Sequence, residues 1–318
     1  MRTVDVIIPT FKPDKKFQML VERLCRQTVL PAKILIMNTE QEWWEKASFD
    51  KTDLERMTDE CGIYFEVHHI RQEEFDHGGT RAAAAAMSRA DTLLFMTQDA
   101  MPADRYLVEN LLGAFEKEEN VAAVYARQLP EKDCGILEKY TREFNYGKDS
   151  LIKSAEDLPR LGIKTYFCSN VCAAYDRAVY EKLGGFIKKA IFNEDMVFAA
   201  ELIRNGYKVA YEADAKVIHS HNYSGIQQFH RNFDMAVSQA QNAEIFADIP
   251  SEGEGLRLVK GTAVWLCKNG KFYLIPKLIW QSGCKYTGYL MGKNYRKLPQ
   301  NLILKCSMNK KFWKNKKF

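Results

Sequence analysis

Short apolar runs, each stopped by polar or turn residues, recur through the first half of the chain. Residues 4–9 (VDVIIP) are β-branched and end at Pro9, which predicts a buried strand. Residues 33–38 (KILIMN), 63–70, 92–97 (TLLFMT) and 121–127 repeat the pattern. Between them the period lengthens: Phe17, Leu20, Val21 and Leu24 recur at helical spacing within residues 16–27. An Ala-rich helix is predicted from Gly78-Gly79 to Arg89, and another over 105–117. Strands alternating with helices predict βαβ units and an α/β fold with a mostly parallel sheet. Ligands of such sheets bind beyond the carboxyl ends of the strands. Those ends carry Pro9-Thr10, Asn38-Thr39 and Thr97-Gln98-Asp99.

Farther on, residues 166–175 (YFCSNVCAAY) read as a strand, followed by a helix and then Gly184-Gly185-Phe186. A helix over 194–204 is closed by Asn205-Gly206. Two short strands, 208–211 and 216–219, precede a long amphipathic helix over 225–246. Residues 247–255 (ADIPSEGEG) have linker composition, and 256–290 and 301–313 read as helices. The predicted organisation is an α/β domain over 1–246, a linker, and a helical region over 256–318.

Composition sharpens this. Hydrophobic residues at 46% and charged residues at 27% of 318 exclude a disordered chain. The longest apolar stretches, such as 82–87, fall far short of the ~20 residues that span a bilayer. The opening MRTVDVIIPTFKP has no signal-peptide pattern, so the expected location is the cytosol. Eight cysteines without a CxxC pair are expected as free, mostly buried thiols. Charge is unevenly spread. Of 46 Lys and Arg, 15 lie from Leu256 onward with no Asp or Glu, leaving the first 255 residues net −10. A basic extension on an acidic body points to a polyanionic partner, a membrane surface or nucleic acid. No nucleic-acid motif is present.

Several residues carry candidate chemistry. Asp99 at a strand end suits Mg2+ or Mn2+ with substrate phosphates, although an isolated strand-end Asp more commonly caps the next helix. Glu194-Asp195 opens a helix, where the dipole favours acids and where a general base over a substrate can also sit. His219 and His221 share one face of an extended segment and could meet a metal or phosphate. Two imidazoles without a third ligand are a weak zinc pattern. Asp76-His77-Gly78-Gly79-Thr80-Arg81 offers a glycine-rich helix start and a guanidinium for an anion. It matches neither GxGxxG nor a Walker loop. Gln228 and Arg231 share one face of the long helix.

The order of these signals resembles family 2 glycosyltransferases: Ile8-Pro9-Thr10, HGGTR, TQDA, GGF, NED, NGYKVAY, HSHNYS and QxxR, over residues 3–246. DHGGTR with MTQDAMP and HSHNYS is similar to the rhamnosyltransferase branch that builds bacterial surface polysaccharides. The resemblance implies a GT-A fold, a nucleotide-diphospho-sugar donor (dTDP-rhamnose in that branch), Mg2+ or Mn2+, and inversion at the anomeric centre. It places the Asp-x-Asp metal motif on Thr97-Gln98-Asp99, with only the last acid present and His219 or His221 as further ligands. It places the base on Asp195 with Glu194 beside it, and nucleotide-sugar contacts on Pro9, Thr10, Asn38, Thr39, Arg81, Gln98 and Asp99. Gln228 and Arg231 match the QxxRW element on the acceptor or diphosphate side, with Asn232 in place of Trp, which implies few additions per acceptor.

By the same resemblance the acceptor is a saccharide, in that branch linked to polyprenyl diphosphate. The basic segment, with Trp280, Tyr286 and Trp313 among its lysines, is then expected on the anionic cytoplasmic leaflet. The alternative is that those apolar residues pack on the body. A UDP-hexose donor and a catalytically weak carbohydrate-binding relative are the rival readings within the family. A nucleotidyltransferase is disfavoured, because PTFKPDKK after the first strand contains no glycine.

Overall fold

The computed structural model describes residues 2–246 and 252–313. Its strands are β1 (Val4–Phe11), β2 (Lys33–Thr39), β3 (Tyr64–Ile70), β4 (Thr92–Met96), β5 (Met101–Pro102), β6 (Val121–Leu129), β7 (Leu151–Lys153), β8 (Cys172–Asp176) and β9 (Lys208–Ile218). They form one sheet in the order β3-β2-β1-β4-β8-β6-β9-β5, with β7 also on β9. The β3-β2-β1-β4 half is parallel, as the alternation predicts. β8 then pairs antiparallel with both β4 and β6, so the whole sheet is mixed.

Helix α1 (Lys15–Leu24) joins β1 to β2, and α2 (Gln41–Glu45) and α3 (Lys51–Glu60) lead on to β3. α4 (His77–Ala85) precedes β4 and α5 (Leu107–Ala114) precedes β6. Between β6 and β8 lie α6 (Ile136–Asn145) and α7 (Leu158–Leu161); α8 (Arg177–Lys182) and α9 (Glu194–Arg204) lead to β9. α10 (Gly225–Gln241) and α11 (Ala243–Phe246) follow, then α12 (Glu252–Lys268), α13 (Ile275–Lys293) and α14 (Gln300–Cys306). Period-two alternation sends Val6 and Ile8 of β1 to one core, with Phe17, Leu20, Val21 and Leu24 of α1. Ile7 faces the other core, with Phe95, Tyr175 and Phe198.

Three expected elements differ. The strand at 166–175 is confined to Cys172–Asp176, and Gly162–Tyr166 winds as a 3-10 helix instead. Tyr166 and Cys168 are buried there without joining the sheet, so their apolar pattern reports burial, not strand pairing. The two strands at 208–211 and 216–219 are one bulged strand, in which Ala126 faces Glu212 and Arg127 faces Lys216. α4 stops at Ala85, after which Ser88 donates to buried Asp5 at 2.6 Å and turns the chain toward β4.

Residues 247–251 of the expected linker lie outside the described residues, and Glu252 already opens α12. Much of the basic segment packs on the body. α13 runs along α10 at close range, because a Cβ on Gly288 or Gly292 would collide with the carbonyl oxygen of Phe229 or Phe233. Trp313 is fully buried with Tyr295 and Ile303 against Phe233 and Val237. Asp234 accepts from the amides of Met308 and Asn309, both at 2.9 Å. Phe272, Tyr273, Ile279 and Trp280 stay exposed. Lys314, Lys316 and Lys317 lie outside the described residues. Among the described residues no helix is long and apolar enough to cross a membrane. All eight cysteines are free, four of them buried.

Candidate functional site

β5 is only two residues long, yet its pairing of Met101 with Ile218 decides the site. It lays the turn after β4 beside the end of β9, so Asp99 meets His219 and His221. Their Nε2 atoms lie 3.6 and 3.5 Å from Asp99 Oδ2. One ligand atom from each of the three residues falls within 4.8 Å of the others. Gln128 Nε2 donates to Ser169 Oγ at 3.0 Å, and its Oε1 accepts from Arg142. The same oxygen lies 3.1 Å from His219 Nδ1. Gln128 thereby fixes the orientation of the His219 ring, with Nε2 facing Asp99.

Burial, then the neighbouring His219, lowers the His221 pKa to about 4, so the ring is neutral at pH 7. Burial opposes ionisation of Asp99, but the hydrogen bond and charge of His219 outweigh it and hold the carboxyl well below its ordinary range. One carboxylate and two imidazoles fit a divalent cation. The cluster brings Asp99, His219 and His221 together as a group that could hold a metal ion, a convergence that the spacing of the histidines alone did not assign.

The Glu194-Asp195 doublet splits into two roles. Glu194 is buried and sits 3.1 Å from Arg81 Nη1. It also accepts from Asn170 Nδ2 at 3.1 Å. Although burial disfavours its charge, Arg81 and His77 hold its pKa low. Asp195 is half-buried and accepts from Asn170 N at 2.9 Å and Met196 N at 2.8 Å. Burial first, and the Glu194 charge second, push its pKa up to about 7. Proton acceptance near neutral pH thus falls to Asp195. Arg81, expected on the nucleotide, is buried against Glu194 and the carbonyl of His77. The expected anion site at the start of α4 is filled from within: Asp76 Oδ1 accepts from Gly78 N at 3.0 Å and Gly79 N at 2.7 Å.

Several residues expected on the nucleotide side are joined by hydrogen bonds. Thr10 Oγ1 donates to Asn38 Oδ1 at 3.1 Å, and Asn38 Nδ2 donates to Glu40 O at 2.9 Å. Thr39 is buried beside them, while Pro9 is half-buried. The Gln98 amide exchanges two hydrogen bonds with the Phe11 backbone, at 2.8 and 3.0 Å, and ties the end of β1 to the Asp99 turn.

A sequence model of glycosyl transferase family 2 matches residues 5–184. Over 98% of its length the chain is 38% identical to the O-antigen chain rhamnosyltransferase RfbN of Salmonella typhimurium, covering 96% of that protein. It is 45% identical to the O-antigen chain rhamnosyltransferase WbaN of Salmonella anatum, over 77% of this chain and 78% of that one. The chain belongs to glycosyl transferase family 2.

The fold of this glycosyltransferase is similar to that of the mannosyltransferase PcManGT from Pyrobaculum calidifontis, solved with GDP-Man and Mn2+. The TM-score is 0.61 at 13% identity, over 93% of this chain and 88% of that one. It is also similar to S. aureus TarS 1-349, with a TM-score of 0.51 at 14% identity over 93% and 91%. The expected GT-A architecture is thereby present.

Farther along this glycosyltransferase, Gln228 is buried on α10, and Arg231 stacks over Phe192 at 4.6 Å and Tyr223 at 5.8 Å. The Tyr223 ring lies 4.9 Å from that of His221. Sequence reasoning missed Gln128, Ser169 and Asn170. Their signal is polarity inside apolar runs, at the end of β6 and within YFCSNVC. It also missed Lys153, whose buried ammonium donates to the carbonyls of Lys164 and Phe167 and pins the segment leading to Asn170.

Proposed function

We propose that this glycosyltransferase moves L-rhamnose from dTDP-rhamnose, with inversion, to a saccharide acceptor linked to polyprenyl diphosphate in surface-polysaccharide synthesis. The observation that carries the chemistry is a single hydrogen-bonded network. Asn170 holds Asp195, its neighbour Ser169 accepts from Gln128, and Gln128 orients His219 of the Asp99 cluster. A base and a cation site are built on one frame.

Asp195 takes the proton of an acceptor hydroxyl as that oxygen attacks the anomeric carbon. The C–O bond to the nucleoside diphosphate breaks in the same displacement, so configuration inverts and no covalent enzyme intermediate forms. Mg2+ or Mn2+ bound by Asp99, His219 and His221 would supply charge neutralisation to the leaving diphosphate. With two imidazoles in the set, Mn2+ is the better match. The rhamnose assignment is supported by the names of two relatives that align along most of this chain. In a competition assay with Mn2+, dTDP-rhamnose is expected to be consumed ahead of UDP-hexoses; preference for a UDP-hexose rejects the donor and keeps the family.

The working location proposed is the cytoplasmic face of the membrane. Phe272 is 69% exposed and Trp280 61%, with Tyr273 and Ile279 between them and Lys268 and Lys277 exposed nearby. Apolar rings beside lysines suit a headgroup plane, each lysine adding about 1 kcal/mol at an anionic surface. The full chain is expected to float with anionic but not neutral vesicles in low salt, and the double variant Phe272→Ser, Trp280→Ser to stay behind. Equal flotation of both proteins removes the role of this surface.

A further inference from the structure

Charge does not balance on the α13 side of the metal cluster. Arg142 is paired with Glu138 at 2.7 Å. Arg231, stacked between Phe192 and Tyr223, has no carboxylate within ion-pair distance among the described residues, and neither does Lys285 of α13. The register of α13 fixes where Lys285 stands. One turn before it, Gln281 Nε2 donates to the carbonyl of Tyr223 at 3.2 Å. One turn after it, Gly288 lies against the backbone of Phe229. Residues at i, i+4 and i+7 share a helix face, so Lys285 stands over the segment from Tyr223 to Phe229. It is half-buried there, and burial lowers its pKa; Arg231 and Arg142 lower it further, against Glu138 alone. Among the described residues, only Arg142 of these three cations has a carboxylate at ion-pair distance.

The other side of this group is apolar. Trp280 and Cys284 are the atoms nearest to Gly225, and the next residue on α10, Ile226, is 56% exposed. Partly desolvated cations of like sign are unfavourable until an anion joins them. An anion that is also attached to hydrocarbon can use both surfaces at once.

We propose that Arg142, Arg231 and Lys285 form a phosphate subsite for the acceptor, set between the Asp99–His219–His221 cluster and the exposed Ile226–Trp280 surface. This rests on the reading of the acceptor as a lipid-linked diphosphate, and it assigns the C-terminal helix α13 a direct part in binding it. The donor diphosphate belongs at the metal cluster, which leaves the unpaired cations to a second anion.

The test uses calorimetry on the full chain. With EDTA present, wild type is expected to bind inorganic pyrophosphate, Lys285→Gln to bind it roughly tenfold more weakly, and Lys285→Arg to stay within a few-fold of wild type. Binding of dTDP with Mn2+ is expected to be unchanged in Lys285→Gln. Geranyl diphosphate is expected to bind more tightly than pyrophosphate, and Trp280→Ala to remove that gain. The subsite is overturned if wild type ignores metal-free pyrophosphate, or if Lys285→Gln binds it as wild type does. It is equally overturned if the loss in Lys285→Gln appears in the dTDP arm, because the cations then serve the donor. Equal affinity for geranyl diphosphate and pyrophosphate overturns the lipid-linked source. Failure of dTDP to bind any of the proteins rejects the donor reading and leaves the pyrophosphate comparison intact.

Discussion

Asp195→Asn abolishes transfer, with a loss of at least the roughly 10²–10⁴-fold that general-base help contributes, while nucleotide binding stays within a few-fold of wild type. An amide is close in shape to a carboxylate, and its oxygen still accepts from the Asn170 or Met196 amide. What it lacks is the capacity to take a proton. In wild type, turnover falls as pH drops below about 7, because the raised pKa of Asp195 protonates the base there. The same shift has a stability consequence with a definite sign. The Asp195 carboxyl holds its proton in the folded chain at pH values where the unfolded chain, near the ordinary 3.8, has lost it. The folded state therefore binds more protons between about 4 and 7, and this group's contribution to stability falls as pH rises through that window. At pH 8, where the wild-type carboxylate is half-buried and charged beside Glu194, the Asn variant is expected to melt higher. Steady-state kinetics and a pH series of melting curves check both statements; a variant that keeps most of its turnover removes Asp195 as the base.

Asp99→Ala weakens metal-dependent nucleotide binding and turnover together. Changes to groups that merely orient a metal ligand cost about 10–100-fold in metal affinity or activity, and loss of the ligand itself is expected to exceed that range. Asp99 is the only carboxylate in the cluster, so it alone can supply the negative charge that offsets a divalent cation. EDTA is expected to silence the wild type and Mn2+ to restore it. Titration of Mn2+ against dTDP binding in wild type and variant measures the loss, and full wild-type activity in EDTA refutes the metal site.

Much of this was legible in residue order. β1, β2, β4 and α1 follow from apolar runs and helical spacing, and α9 spans the predicted 194–204, because burial, caps and period are local properties. Less of the site was legible. Glu194 and Asp195 are adjacent and chemically alike, and nothing nearby says which has the raised pKa. The distinction comes from Arg81, which α4 brings to Glu194 and not to its neighbour. The meeting of Asp99 with His219 and His221 depends on β5, too short to leave a periodic pattern. The basic C-terminal segment shows the same division. Its composition pointed outward to a polyanion, yet Gly288 and Gly292 let α13 close on α10, and Trp313 is buried.

Residue order was enough for the family resemblance, the parallel half of the sheet and the set of polar residues at the strand ends, since each rests on neighbours within a few positions. Tertiary packing set which carboxylate carries the raised pKa, which side chains converge on Asp99, and which cations have no carboxylate at ion-pair distance among the described residues. Those properties depend on distances between side chains far apart in the chain, set by strand register and by how closely two helices can approach. Coulombic and desolvation effects act through those distances, and no local pattern encodes them.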